Sequence, residues 1–138
     1  MAKMGVKICV DTDVIIEVLR GHEPAVGRIR ELEEEGATFS TTSINVFELY
    51  YGALKSRKAE QNLNSVGKLL ERLVILDFTA AVAERAGEIL TELEAKGRAM
   101  ALRDLFIGTT ALVNGYTLLT RNVEHFKRIE GLKLLTVP

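Results

Sequence analysis

Short apolar runs alternate along the chain with longer segments whose apolar residues recur at helical spacing. The runs predict strands at 6–10, 37–40, 74–76, 116–119 and 132–135. The longer segments predict helices at 14–19, 24–35, 43–55, 59–73, 79–96, 102–113 and 122–128. Helix stop signals follow four of these segments, at Gly21, Gly36, Gly97 and Asn114-Gly115. The predicted order is therefore β-α-α-β-α-α-β-α-α-β-α-β.

This order predicts the fold class. Strands separated by helices form a parallel sheet with helices on both of its faces. We therefore expect an α/β protein, a three-layer α/β/α sandwich with a central, mostly parallel twisted sheet, in which residues 1–138 form a single domain. Functional residues of such sheets lie beyond the carboxyl ends of the strands. Candidate site residues should therefore follow strands or begin the next helix.

The segment Asp11-Thr12-Asp13 directly follows the first predicted strand. One of its acids is expected to cap the next helix, and we predict that Asp13 is this cap, with Ser43 capping the third helix in the same way. A single cap does not need two acids. The second carboxylate is therefore a candidate functional group.

Glu48 lies on the same face of the third predicted helix as Ile44, Phe47 and Tyr51, so a carboxylate interrupts an apolar stripe. A buried carboxylate without a partner would cost several kcal/mol or would take up a proton. A bound cation would offset that cost. Two simpler explanations remain open: an Arg or Lys partner, or a position at a hydrated edge.

Asp104 lies in the first turn of a predicted helix that is apolar on almost every side, which indicates a helix in the middle of the domain. The first turn of a helix favours a negative charge, so capping is an alternative role for Asp104. Thr120 and Asn122 follow the fourth predicted strand. They therefore also satisfy the positional test for a functional site.

Carboxylates gathered at one point repel one another, and hard oxygen ligands suit Mg²⁺ or Mn²⁺. A hard divalent ion activates a water molecule and stabilises the charge on a phosphoryl group. No well-placed cysteine or histidine suggests zinc, and neither His22 nor His125 needs a catalytic role. The sequence thus predicts a magnesium or manganese site.

Composition limits the partners of this site. The formal net charge of −1 argues against indiscriminate nucleic-acid binding, although a metal ion would supply some of the missing positive charge. A local basic rim is available from Lys55, Arg57, Lys58, Lys96, Arg98, Arg103 and Arg121. No apolar run approaches the ~20 residues of a membrane span, and the N-terminus lacks signal-peptide features. The lone Cys9 in a strand fits a reducing compartment, so we expect a cytoplasmic protein without membrane contact.

Four segments together resemble the PIN-domain family, especially its VapC-type toxins. They are Asp11-Thr12-Asp13-Val14-Ile15-Ile16, Glu48-Leu49-Tyr50-Tyr51-Gly52-Ala53, Asp104-Leu105-Phe106-Ile107-Gly108-Thr109-Thr110-Ala111, and Leu119-Thr120-Arg121-Asn122 through Phe126. They occur in the family's order and spacing, and the resemblance covers essentially the whole chain.

The resemblance implies that Asp11, Glu48 and Asp104 are the metal-binding and catalytic acids of an endoribonuclease that cuts a structured RNA. The family often has a fourth acid at the position of Asn122, and an amide there brings no charge. Thr12 and Thr120 would contribute hydroxyls nearby. The resemblance also implies a homodimer silenced by a VapB-type antitoxin.

Two other functions remain open at this point. A phosphatase of the haloacid-dehalogenase type would use Asp11 as nucleophile and Asp13 as acid/base, but it leaves Glu48 without a role. The second alternative is a PIN fold without activity that serves as a binding module. The presence of three acids argues against it, whereas Asn122 keeps it open.

Overall fold

The computed structural model describes residues 5–138. Residues 1–4, which belong to the predicted domain and to the segment inspected for a signal peptide, lie outside this range. The sheet has five strands: β1 (Lys7–Val10), β2 (Thr38–Thr42), β3 (Val74–Leu76), β4 (Thr117–Leu119) and β5 (Leu134–Leu135). Their order is β3-β2-β1-β4-β5, and every pairing is parallel. The parallel sheet expected from the sequence is confirmed.

Helices connect the strands in the predicted order. They are α1 (Thr12–Leu19), α2 (Glu23–Glu34), α3 (Ser43–Lys55), α4 (Ala59–Leu70), α5 (Ala80–Ala95), α6 (Leu102–Val113) and α7 (Val123–Phe126). Several ends differ by a few residues from the predicted bounds, as is usual where helices fray and strands leave the ladder.

Two hydrophobic cores lie on opposite faces of the sheet. In β1 the side chain of Cys9 enters the core formed with α5 and α6, whereas Ile8 and Val10 enter the core formed with α1 to α4. This alternation follows from the two-residue period of a strand. Helix α6 is almost entirely buried, as its apolar sequence predicts. The three-layer α/β/α sandwich is therefore confirmed.

The cap of α1 is Asp11, so the prediction of Asp13 was wrong. The backbone is still extended at Asp11 (φ −74°, ψ 158°) and becomes helical at Thr12, which places the helix start earlier than the apolar spacing suggests. The Asp11 carboxylate accepts a hydrogen bond from the Thr12 N–H at 2.9 Å. Asp13 lies inside the first turn instead.

The cap of α3 is Thr42 and not the predicted Ser43. The Thr42 hydroxyl accepts the Asn45 N–H, and the Asn45 side chain accepts the Thr42 N–H, which together form a capping box. The Ser43 hydroxyl instead accepts the N–H of Phe78 at 3.1 Å and ties α3 to the segment after β3. Among residues 5–138, no helix is long and apolar enough to cross a bilayer.

Candidate active site

The candidate site lies at the carboxyl edge of the sheet, where β1 and β4 end side by side. Because Val10 is paired with Leu119, Asp11 and Thr120 emerge next to each other. Helices α3 and α6 bring Glu48 and Asp104 to the same edge, since both side chains contact the same guanidinium as Asp11. The structure therefore brings together the three acids that the sequence selects.

Asp11 is fully buried, and both of its carboxylate oxygens have hydrogen-bond donors. Oδ1 accepts from the Thr12 N–H, from Asn45 Nδ2 at 3.0 Å and from Arg103 Nη2 at 2.9 Å. Oδ2 accepts from the Thr120 hydroxyl at 2.7 Å. These donors offset the large cost of burying a carboxylate and fix its orientation.

Glu48 is half-buried, and Arg103 binds it through two parallel hydrogen bonds. Arg103 Nε lies 2.8 Å from Oε2 and Nη2 lies 2.8 Å from Oε1, while the Thr12 hydroxyl donates to Oε1 at 2.7 Å. Burial would raise the pKa of Glu48, but the hydrogen bonds from Arg103 and Thr12 outweigh burial and hold it below its usual range. The Arg partner left open by the sequence is therefore present.

Asp104 lies in the first turn of α6 but does not cap the helix. The N-cap position is Ala101, which makes no side-chain cap bond, so the capping alternative is wrong. Asp104 Oδ1 accepts from Arg103 Nη1 at 2.9 Å, and Oδ2 lies 3.3 Å from His125 Nδ1. The carboxylate is thus directed into the site.

One guanidinium, that of Arg103, links all three carboxylates. Its burial would lower the pKa of Arg103, but hydrogen bonds to Glu48 and Asp104 and the charge of Asp11 raise it further above its usual range. The sequence placed Arg103 only in a basic rim around the site. In the structure it is the central cation of the acidic cluster.

Asp13 lies outside this cluster. Its oxygens accept the Val14 N–H at 2.8 Å and the Arg121 N–H at 3.1 Å, which holds the segment after β4 against the start of α1. Burial and then the charge of Asp11 raise the pKa of Asp13 above its ordinary value. The contacts of Asp13 are therefore those of a residue that fixes the edge of the site.

Asn122 is exposed at the rim. Its backbone N–H donates to the Thr120 hydroxyl at 3.0 Å, and within residues 5–138 no hydrogen bond joins its side chain to the carboxylates. The Arg121 side chain is paired with Glu17 on α1. The strand-end position of Asn122 is as predicted, but its amide is not part of the polar network around Asp11.

Asn45 is a site residue that the sequence reasoning missed. Its fully buried side chain donates to Asp11 Oδ1 and to the Thr12 hydroxyl at 2.8 Å, and accepts from the Thr42 hydroxyl at 2.7 Å. A signal was available, because Asn45 is three residues before Glu48 and therefore shares its helix face. His125 was missed as well, since nothing in the sequence relates it to Asp104.

Only Ile44 of the apolar stripe assigned to α3 packs against a core. Phe47 and Tyr51 are 64% and 52% exposed and stack with ring centroids 5.8 Å apart. Helix α3 turns its opposite side inward and buries Leu49 and Ala53. Glu48 therefore lies at the border between the buried and exposed sides of the helix.

The oxygens of these carboxylates suit a hard divalent ion such as Mg²⁺ or Mn²⁺, and a cationic guanidinium already lies among them. As the side chains are placed, no group of three Asp, Glu, His or Cys residues within the described range could hold a metal ion. The donor chemistry fits such an ion, whereas the side-chain placement has the Arg103 guanidinium among these oxygens.

The model of the PIN domain family matches residues 8–132. The chain belongs to the PIN-domain family. A ribonuclease VapC2 of Rickettsia felis is 38% identical over 124 residues, covering 90% of this chain and 92% of that protein. A protein of Shigella flexneri named tRNA(fMet)-specific endonuclease VapC is 33% identical over 127 residues, covering 92% and 95%.

Chains in two solved structures are similar to this chain in fold and sequence. The crystal structure of VapBC2 from Rickettsia felis bound to a promoter DNA fragment contains a chain with a TM-score of 0.86 and 34% identity. The structural match covers 96% of this chain and 100% of that chain. A chain of DNA-bound VapBC from Salmonella typhimurium has a TM-score of 0.84 and 30% identity, with coverage of 95% and 98%.

Neither alternative function is favoured by these findings. In the phosphatase reading Asp13 would exchange protons with the substrate, yet both of its oxygens accept backbone N–H groups. An inactive binding module is not favoured either, because the relatives are named as a ribonuclease and a tRNA(fMet)-specific endonuclease and the chain has all three acids.

Proposed function

We propose that this PIN protein is a Mg²⁺- or Mn²⁺-dependent endoribonuclease, the toxin of a VapBC-type toxin–antitoxin pair. The observation that carries this proposal is the convergence of Asp11, Glu48 and Asp104 on one cation at the carboxyl edge of the sheet. Residues 1–138 act as one domain in this proposal. A cytoplasmic location is part of the proposal, because the proposed substrate is cellular RNA.

Asp11 and Asp104 would hold the metal ion, and Glu48 would complete its shell or orient the attacking water. When bound, such an ion lowers the pKa of a water molecule and stabilises the negative charge that develops on the phosphoryl group. The chain's own contribution is to hold its carboxylates in place against their mutual repulsion. A fixed arrangement of this kind avoids reorganisation during the reaction.

Neighbouring side chains keep these acids oriented. The Thr120 hydroxyl fixes one oxygen of Asp11, and Asn45 fixes the other. Thr12 links the carboxylates of Asp11 and Glu48, since its N–H donates to Asp11 and its hydroxyl donates to Glu48. The same hydroxyl accepts from Asn45. Partners that orient metal ligands in this way commonly tune metal affinity. Thr12, Thr120 and Asn45 are therefore proposed as positioning residues.

A structured RNA, such as a tRNA, is the proposed substrate. The support is the Shigella flexneri relative, whose name specifies a tRNA. One cavity, at the end of α5, is lined by more basic than acidic side chains: Arg85, Lys96, Arg98, Lys127 and Arg128 against Glu92 and Glu130. Basic side chains of this kind neutralise phosphates along a nucleic acid without reading its sequence.

A VapB-type antitoxin and a second copy of the chain are the proposed protein partners. The support for the antitoxin is the likeness to the VapBC structures of Rickettsia felis and Salmonella typhimurium. Helix α3 offers apolar surface for protein contacts, since Phe47, Tyr51 and Leu54 are all exposed. Because most monomeric proteins expose only limited contiguous apolar area, these exposed side chains support a protein contact at α3.

The direct test uses protein refolded without any partner and incubated with a pool of tRNA. Mg²⁺, Mn²⁺ and a chelator are compared, with Asp104→Asn as the inactive variant and a phosphate monoester as the phosphatase substrate. We expect RNA cleavage only with metal ion and only in the unaltered protein. Turnover of the monoester with intact RNA would instead support the phosphatase, and cleavage by the Asp104→Asn variant would contradict the proposed site.

A further inference from the structure

The Arg103 guanidinium uses the carboxylate oxygens that a metal ion would need. It donates to Asp11 Oδ1 at 2.9 Å, to Asp104 Oδ1 at 2.9 Å and to both oxygens of Glu48 at 2.8 Å. An oxygen that accepts a strong charge-assisted hydrogen bond has less electron density to offer a metal ion on the same side. The guanidinium and a metal ion at this point therefore compete for the same ligands.

The contacts of Arg103 are not equivalent. Glu48 receives two parallel hydrogen bonds, the strong fork arrangement, whereas Asp11 and Asp104 receive one each. The Arg103 side chain is 33% exposed, so solvent is accessible to a displaced guanidinium. Release of Asp11 and Asp104 therefore breaks one hydrogen bond to each and leaves the pair with Glu48, so in this exchange Glu48 takes the second of its two proposed roles and orients the attacking water.

The three negative charges of Asp11, Glu48 and Asp104 require a cation between them. Asp11 is fully buried, and the same Arg103 guanidinium contacts Asp11, Glu48 and Asp104 within 2.9 Å. Without Arg103, the three carboxylates would keep only hydroxyl and amide donors and the His125 imidazole beside Asp104. Like charges at such short separation destabilise a folded protein.

We propose that Arg103 is the resident cation of the metal-free site and that metal ions bind by displacing it from Asp11 and Asp104. This inference rests on the proposed function, because it concerns the same metal site. Arg103 thus stabilises the protein before metal binds and weakens metal affinity by competition. The chain would remain folded without metal and would become loaded only above a threshold concentration of the ion.

The test measures Mn²⁺ affinity directly, without RNA, by titrating chelator-stripped protein and following free Mn²⁺ by its electron paramagnetic resonance signal. Arg103→Gln removes the charge and the fork. Arg30→Gln, at an exposed position on α2, is the matched control for the loss of one positive charge. Thermal unfolding in chelator and in Mn²⁺ is recorded for each variant.

We expect Arg103→Gln to bind Mn²⁺ at least about tenfold more tightly than the unaltered protein, since competing charge-assisted hydrogen bonds are lost. Its melting temperature should be lower in chelator and should rise more on addition of Mn²⁺. Arg30→Gln should match the unaltered protein in both measurements. If Arg103→Gln unfolds in chelator, Mn²⁺ should restore its fold, and Arg103→Lys should bind Mn²⁺ with intermediate affinity.

Equal or weaker Mn²⁺ binding by both Arg103 variants, in a protein whose unaltered form binds Mn²⁺, would overturn the exchange and show that Arg103 helps to assemble the ligands. The proposed function would survive that result. If neither the unaltered protein nor any variant binds Mn²⁺, and Asp104→Asn therefore does not differ from the unaltered protein, both the displacement of Arg103 and the metal site would be overturned.

Discussion

Asn45 offers a sharp test of how the acidic cluster is held, because its substitution by aspartate keeps the shape and changes only the chemistry. In Asn45→Asp, an oxygen replaces the amide nitrogen that donates to Asp11 at 3.0 Å and to Thr12 at 2.8 Å. Two donated hydrogen bonds are lost, and a second carboxylate faces the buried Asp11. The capping contacts with Thr42 can persist through the remaining oxygen.

The expected cost follows from these distances. Two like charges about 4 Å apart interact by about 4 kcal/mol at an effective dielectric constant near 20. Each lost hydrogen bond adds about 1 kcal/mol, and protonation of the new carboxyl group limits the total. We therefore expect Asn45→Asp to lower the free energy of unfolding by about 3–5 kcal/mol at neutral pH.

The cost should depend on pH. Burial beside Asp11 raises the pKa of the new carboxyl group in the folded state above its unfolded value of about 3.9. Below the unfolded value the group is protonated in both states and the charge penalty vanishes. As pH rises toward the folded pKa, the penalty grows by about 1.4 kcal/mol per pH unit. The variant should therefore lose less stability at pH 5 than at pH 7.5.

Urea unfolding in the presence of a chelator measures both effects. Asn64→Asp, on the exposed side of α4, introduces the same charge at the surface and should change stability by less than about 0.5 kcal/mol. A loss below about 1 kcal/mol for Asn45→Asp, or an equal loss at both pH values, would show that Asn45 does not hold the cluster as described.

Three further outcomes are expected. Asp11→Asn should lower the free energy of unfolding by about 1–3 kcal/mol, because only hydrogen-bond donors surround both oxygens of Asp11. Asp104→Asn should lower it by less, and urea unfolding in chelator compares the two variants. Gly108→Ala should destabilise by about 1–3 kcal/mol, since its methyl group would lie 2.3 Å from a buried isoleucine side chain, while Gly87→Ala, in open surroundings, should not. Burial raises the pKa of the Cys9 thiol to about 12, so a thiol reagent should label it only in denaturant.

The fold and the main acids could be predicted because they depend on local pattern and topology. Apolar spacing gave the element order, and the rule for parallel strand ends selected Asp11 and Thr120. Asp104 was selected by its place in the first turn of an apolar helix, whereas Glu48 was selected because it interrupts an apolar stripe, although Phe47 and Tyr51 of that stripe are exposed.

The role of Arg103 could not be predicted, since it depends on how α6 is oriented toward α3 and β1. A guanidinium reaches three carboxylates only after those elements are packed. Asn45 was predictable in part through its spacing from Glu48. The cap positions were wrong because extended backbone at Asp11 and Thr42 leaves no trace in apolar periodicity.

The central claim, hydrolysis of RNA by a metal-activated water, is tested most directly by the chemical ends of the cleavage products. Attack by an external water leaves no 2′,3′-cyclic phosphate, because the ribose 2′-hydroxyl is not the nucleophile. We expect Mg²⁺- or Mn²⁺-dependent fragments without cyclic phosphate ends, absent with chelator and absent in Asp104→Asn. Fragments that carry 2′,3′-cyclic phosphate, or cleavage that persists in chelator, would contradict the account.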